Sequence, residues 1–136
     1  MKSRVLFVPK GKSESVKEIA QAIAQGAKIT CDPIEKHTTA SELDVLFLGG
    51  ELSFGKISGE MHKFAMSIDP SQVKEVAVFT VTNSHHKSGL EEFKTILEPK
   101  GIKVSDKEFC CTEKVTDKEL KEAHQFGADI MAAAGQ

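Results

Sequence analysis

The sequence predicts an α/β protein, a doubly wound five-stranded parallel sheet in the order 2-1-3-4-5, formed by residues 1–136 as a single domain. Three observations carry this. Runs such as "RVLFV", "DVLFLGG" and "EVAVFTV" are apolar without alternation, as in strands covered on both faces. Segments of helical period separate them, which rules out hairpin connections. Two further strands are more polar and suit the sheet edges, leaving strands one, three and four at the centre.

Strand one is residues 4–8, ended by Pro9. Val16, Ile19, Ala20, Ile23 and Ala24 then repeat at helical spacing; Ser15 and Glu18 have capping-box spacing, and Gly26 is expected to stop the helix. "AKITC" alternates as an edge strand, and "DPIEKHTTASEL" holds turn residues and at most one short helix. "DVLFLGG" is a buried strand ending in two glycines. Ile57, Met61, Phe64, Ala65 and Ile68 form the next helical face. After the buried strand "EVAVFTV", Leu90, Phe93 and Leu97 mark a helix closed by Pro99 and Gly101. "IKVSDKEFCC" is a fifth strand whose alternation slips near Ser105 and Asp106, and Leu120, Ala123, Gly127, Ile130 and Met131 give the last helix. About five helices are expected in all.

Composition excludes several function classes. The apolar runs are too short to span a bilayer and the start of the chain lacks a signal-peptide pattern, so a soluble, cytoplasmic protein with no membrane partner is expected. A net charge of −2 provides no basic field for nucleic acid. Cys31, Cys110 and Cys111 have neither disulfide-framework nor metal-ligand spacing and are expected to be reduced, mostly buried thiols. No metal site is expected, because His37, His62 and His124 share no motif with the pair His85 and His86. His62 and His124 lie on helices and are expected at the surface or the core edge. No catalytic triad or paired carboxylate suggests a hydrolase.

In a sheet of this order, ligands bind beyond the carboxyl ends of the strands, where strands one and three part. Three loops meet there. The first, "PKGKS", contains Gly-Lys-Ser, but Leu6 stands where a Walker A loop needs its first glycine, so a nucleotide triphosphate is disfavoured. The N–H groups of Gly11 to Glu14, the hydroxyls of Ser13 and Ser15 and the charge of Lys10 or Lys12 could hold another phosphate. An ordinary helix start with two solvated lysines is the alternative. The second loop carries Ser53, Phe54 and Gly55 within "GGELSFGKISGEM"; the third carries Thr82, Asn83, Ser84, His85 and His86 within "FTVTNSHHKSG".

Over nearly its whole length the chain resembles the short-chain flavodoxin family. Gly11 and Ser13 match the glycine and final hydroxyl of that family's phosphate loop, while Pro9 and Lys10 replace usual hydroxyl residues. Phe54 and Gly55 match an aromatic that covers one flavin face and the glycine after it. Asn83 and Ser84 match the groups facing the pyrimidine edge, and His86 falls where the outer aromatic stands. The resemblance implies non-covalent FMN, electron transfer with a redox partner protein, and a Gly55 carbonyl that accepts from flavin N5–H after reduction. The alternatives are a flavin-free protein-binding or sensing domain and an FMN-dependent quinone-type reductase, with Phe54 a hydrophobic plug and the histidines solvated surface. The chain departs from the family in having no Trp or Tyr and in lacking strong acidity.

Stacking of His86 on a flavin would contribute about 1 kcal/mol, by analogy with aromatic pairs. His86→Ala is therefore expected to weaken FMN several-fold in a fluorescence titration, and His86→Tyr to restore or improve binding. Equal affinity in parent and His86→Ala would make His86 solvated surface.

Overall fold

The computed structural model describes residues 2–8, 14–34, 42–52, 56–82, 89–112 and 114–134. Among these residues, six strands form one parallel sheet: β1 (Ser3–Phe7), β2 (Thr30–Pro33), β3 (Leu43–Leu52), β4 (Val73–Thr82), β5 (Lys103–Val104) and β6 (Phe109–Thr112). The order is β2-β1-β3-β4-β5, with β6 also on β4, so the expected order and the polar edges are present. Four α-helices connect them among the described residues: α1 (Ser15–Ala27), α2 (Gly59–Ser67), α3 (Leu90–Leu97) and α4 (Asp117–Ala134).

The continuous apolar runs are buried on both faces because helices cover each one. Val5, Phe7, Val45, Phe47, Ala77 and Phe79 pack under α1 and α4. Leu6, Leu46, Leu48, Val76 and Val78 pack under α2 and α3 with Met61, Phe93 and Leu97. Fully buried side chains of this size stabilise the fold by about 1.5–3 kcal/mol each. Phe126 of α4 meets the Phe47 ring edge-on at 6.0 Å, which ties the last helix to the central strand.

The fifth strand is the main departure. It is two segments on one partner, because Ser105 to Glu108 lie opposite only Ala77 and Val78 of β4. The excess is an even number of residues, so each side chain keeps its face: Val104 stays with the α2/α3 core and Phe109 with the α1/α4 core. Lys94 of α3 donates to Asp106 at 2.9 Å and fastens the excursion, holding the Asp106 carboxyl below its usual range. The slipped alternation at Ser105 and Asp106 was the sign of this bulge.

Two helix-end expectations are corrected as well. The α1 ladder starts one residue earlier than a Ser15 cap implies, since the Glu18 N–H donates to the Glu14 carbonyl at 2.9 Å. Glu14 is the N-cap and makes no side-chain cap bond, while Ser15 is the first helical residue. Gly26 does not stop the helix, which runs on to Ala27; Lys28 adopts the left-handed conformation, φ 60°. Gly101, with φ 89°, does close the 3-10 turn Glu98–Lys100 after α3.

Gly26 instead permits close helix packing. A Cβ there would lie 1.8 Å from the His124 carbonyl oxygen, and a Cβ on Gly127 would lie 2.2 Å from that of Ile23. Backbone meets backbone between α1 and α4, and neither helix can shift without losing the contacts of Ala123 and Ile130 with the core. Gly127→Ala is a sharp test, because helix propensity alone favours alanine by about 1 kcal/mol. Overpacking against Ile23 is expected to win and to destabilise the protein by about 2 kcal/mol or more, read as a lower denaturant midpoint at unchanged m-value. A raised midpoint would show that the helices do not approach this closely.

Candidate functional site

Parallel strands point their carboxyl ends to one edge. At that edge β1 and β3 are neighbours, with Phe7 beside Gly49, and Leu52 of β3 stands beside Thr82 of β4. The Val8 N–H extends the first pairing by donating to the Gly49 carbonyl at 3.0 Å. α1 covers one face of the sheet and α2 the other. The chain thus leaves β1 and β3 toward opposite faces, and the opening between them is the switch point expected from the strand order.

The three predicted loops depart from this edge. Of the predicted residues, Lys10, Gly11, Lys12, Ser13, Ser53, Phe54, Gly55, Asn83, Ser84, His85 and His86 lie outside the described residues. Glu14 is exposed at the start of α1 and Ser15 half-buried in its first turn. Thr82 is 3 % exposed and ends β4. The stems of all three loops are therefore brought together by the sheet.

The first stem leads into α1. The N–H groups of Val16 and Lys17 belong to the first helical turn, where no carbonyl of the same helix can reach them, and the helix dipole adds positive potential. This end suits an anion. Glu14 beside it brings a carboxylate to the same end, so an anion here depends on donors that outweigh that charge.

The strand leading to the second stem is longer than the sequence implies. Gly49 and Gly50 were expected at the end of a strand, yet β3 continues through both to Leu52. They are small because neighbours crowd them: a Cβ on Gly49 would lie 1.9 Å from the Phe79 carbonyl oxygen, and one on Gly50 would lie 2.4 Å from Cε of Met61. The chain returns at Lys56, and Ser58 caps α2 by accepting the Met61 N–H at 3.1 Å. Between them, the Ile57 N–H donates to Oε1 of Glu92 in α3 at 3.2 Å.

The third stem meets the second. A Cβ on Gly89 would come within 3.1 Å of Ile57 Cγ2 and 3.3 Å of both Leu52 Cδ2 and Thr80 Cγ2. Reasoning from the sequence missed Glu92 and Gly89. Neither has a local signal, since Glu92 reads as one more polar residue in a helix and its partner is 35 positions away.

Overlay on solved structures agrees with this geometry along the whole chain. A flavodoxin from the domain Archaea shares 23% identity at a TM-score of 0.81, with 100% of each chain covered. The chain has the flavodoxin-like fold. Oxidised flavodoxin 1 from Bacillus cereus shares 20% identity at a TM-score of 0.75, covering 97% of this chain and 98% of that one. The Flv1 flavodiiron core from Synechocystis sp. PCC6803 shares 16% identity at a TM-score of 0.71; 99% of this chain matches 36% of that one. No family model and no curated protein matches the sequence.

The rest of the flavodoxin-like surface provides less chemistry. No group of His, Cys, Asp and Glu suited to a metal ion occurs among the described residues. His62 and His124 are exposed on α2 and α4, as expected. Cys31 and Cys111 are half-buried, but Cys110 is exposed on the edge strand β6, which corrects the expectation of mostly buried thiols. Alternation explains the difference, since adjacent strand residues face opposite ways. Burial, with Asp32 adding to it, pushes the Cys31 thiol up to about 11. Burial also pushes Cys111 up to about 12, reinforced by Cys110, Glu119 and Glu122. Both remain thiols at neutral pH and are poor nucleophiles. No helix among the described residues is long and apolar enough to cross a membrane.

Proposed function

We propose that this protein binds FMN non-covalently and carries electrons to or from a protein partner, as a flavodoxin does. The observation that carries the reading is the meeting of three loop stems and the start of α1 at the β1/β3 switch point. The full-length likeness to an archaeal flavodoxin supports it.

The described residues fit such a group in two respects. Crowding at Gly49, Gly50 and Gly89 keeps the stems close together, and the first turn of α1 supplies N–H donors and a positive dipole end for a phosphate. By the family resemblance, Ser13 and Lys10 or Lys12 would complete the phosphate contact. Phe54 and His86 would exclude water from the ring faces, Asn83 and Ser84 would orient the pyrimidine edge, and the Gly55 peptide would offer its carbonyl at N5. Bound FMN supplies the electron-accepting chemistry; the protein's part is to orient the ring and tune its potential. Near-neutral charge, −2 over the chain, implies docking that depends less on ionic strength than docking by a strongly acidic carrier.

The purified protein is expected to be yellow, or to become so with added FMN, and to release FMN on denaturation. Ser13→Asp is expected to weaken FMN far more than riboflavin, because the new carboxylate faces the phosphate alone. Equal losses would place the phosphate elsewhere. Absence of FMN binding by the parent at high micromolar concentration would replace this reading with that of a flavin-free protein-binding domain.

A further inference from the structure

The carboxylate of Glu92 sits between the stems of the second and third loops. It accepts the Ile57 N–H at 3.2 Å, across 35 positions of sequence, and the site is partly buried. α2 does not need this bond to begin, since Ser58 already caps it and the Ser58 carbonyl accepts the His62 N–H at 2.9 Å. α3 does not need it either: Gly89 and Phe93 close its first turn at 3.1 Å. Glu92 lies in the first turn of α3, where an acid is favoured by the dipole. Beside the bond, Gly89 packs closely against Ile57, Leu52 and Thr80, so that a Cβ there would fit only if those side chains gave way by a few tenths of an ångström. One seam thus joins the return of the second loop to the stem of the third.

We infer that Glu92 is a positioning residue, which fixes the chain at Ile57 against the start of α3 and thereby sets the spacing of the two loops that hold the ring. The inference deepens the FMN reading and rests on it for its functional consequence, whereas the seam itself is a property of the protein without cofactor. What matters is an acceptor oxygen at the right reach, so glutamine should serve and alanine should not.

The experiment compares the parent with Glu92→Ala and Glu92→Gln by amide hydrogen exchange without cofactor, then by FMN titration and midpoint potential. In Glu92→Ala, the Ile57 amide is expected to exchange roughly ten-fold faster or more, with the central amides of β3 and β4 unchanged. FMN affinity is expected to fall several-fold and the potential to shift. Glu92→Gln is expected to restore Ile57 protection and most of the affinity. Equal Ile57 exchange in the parent and Glu92→Ala overturns the inference whatever the protein binds. A Glu92→Gln variant that loses FMN as badly as Glu92→Ala also overturns it, since Glu92 would then act through its charge. A parent that binds no FMN defeats the cofactor reading and the functional role of Glu92 with it, and the exchange data then tell whether the seam exists.

Discussion

Everything at the candidate site depends on one topological constraint: β1 lies between β2 and β3, so the chain must leave β1 toward one face of the sheet and β3 toward the other. Right-handed crossovers then place α1 and α2 on opposite sides. The separation makes the carboxyl edge between β1 and β3 the switch point, where sheets of this order bind ligands. Burial of β1, β3 and β4 on both faces makes this order the stable one, because moving any of them to an edge would bring Leu6, Phe47 or Val78 into water.

Much of this was legible in the sequence, and the reason is physical. Unbroken runs such as Leu46–Leu48 or Val76–Val78 suit only doubly covered strands, and Thr30 and Lys103 mark edges because an edge tolerates polar side chains. The misreadings concern residues whose role depends on a distant neighbour. Gly26 looked like a helix stop and is a contact point with α4; Gly49 and Gly50 looked like the end of a strand and lie inside one, under Phe79 and Met61. The break at Ser105 was visible only as a slip, since its partner strand decides whether a slip becomes a bulge. Ser15 failed as a cap because the hydrogen-bond ladder begins at Glu14.

The site divides in the same way. The switch point followed from strand order alone, and the loop residues with hydroxyls, glycines and rings could be nominated by type. The bond from Ile57 to Glu92 could not, since nothing in either local sequence refers to the other. That bond ties the return of the second loop to the start of α3, and so links two of the three stems. Under the proposed FMN reading, the lack of Tyr and Trp would leave Phe54 and His86 to cover the ring.

We propose that FMN enters at the switch point. Amide chemical-shift mapping on titration with FMN tests it directly. Perturbations are expected at Val8, at Ser15 to Lys17, at Leu52, from Lys56 to Ser58, and at Thr82 and Gly89, with the opposite edge around Lys2, Asp44 and Ile102 silent. Shifts centred instead on the groove between α1 and α4, at Gln21, Gln25 and His124, would contradict the claim.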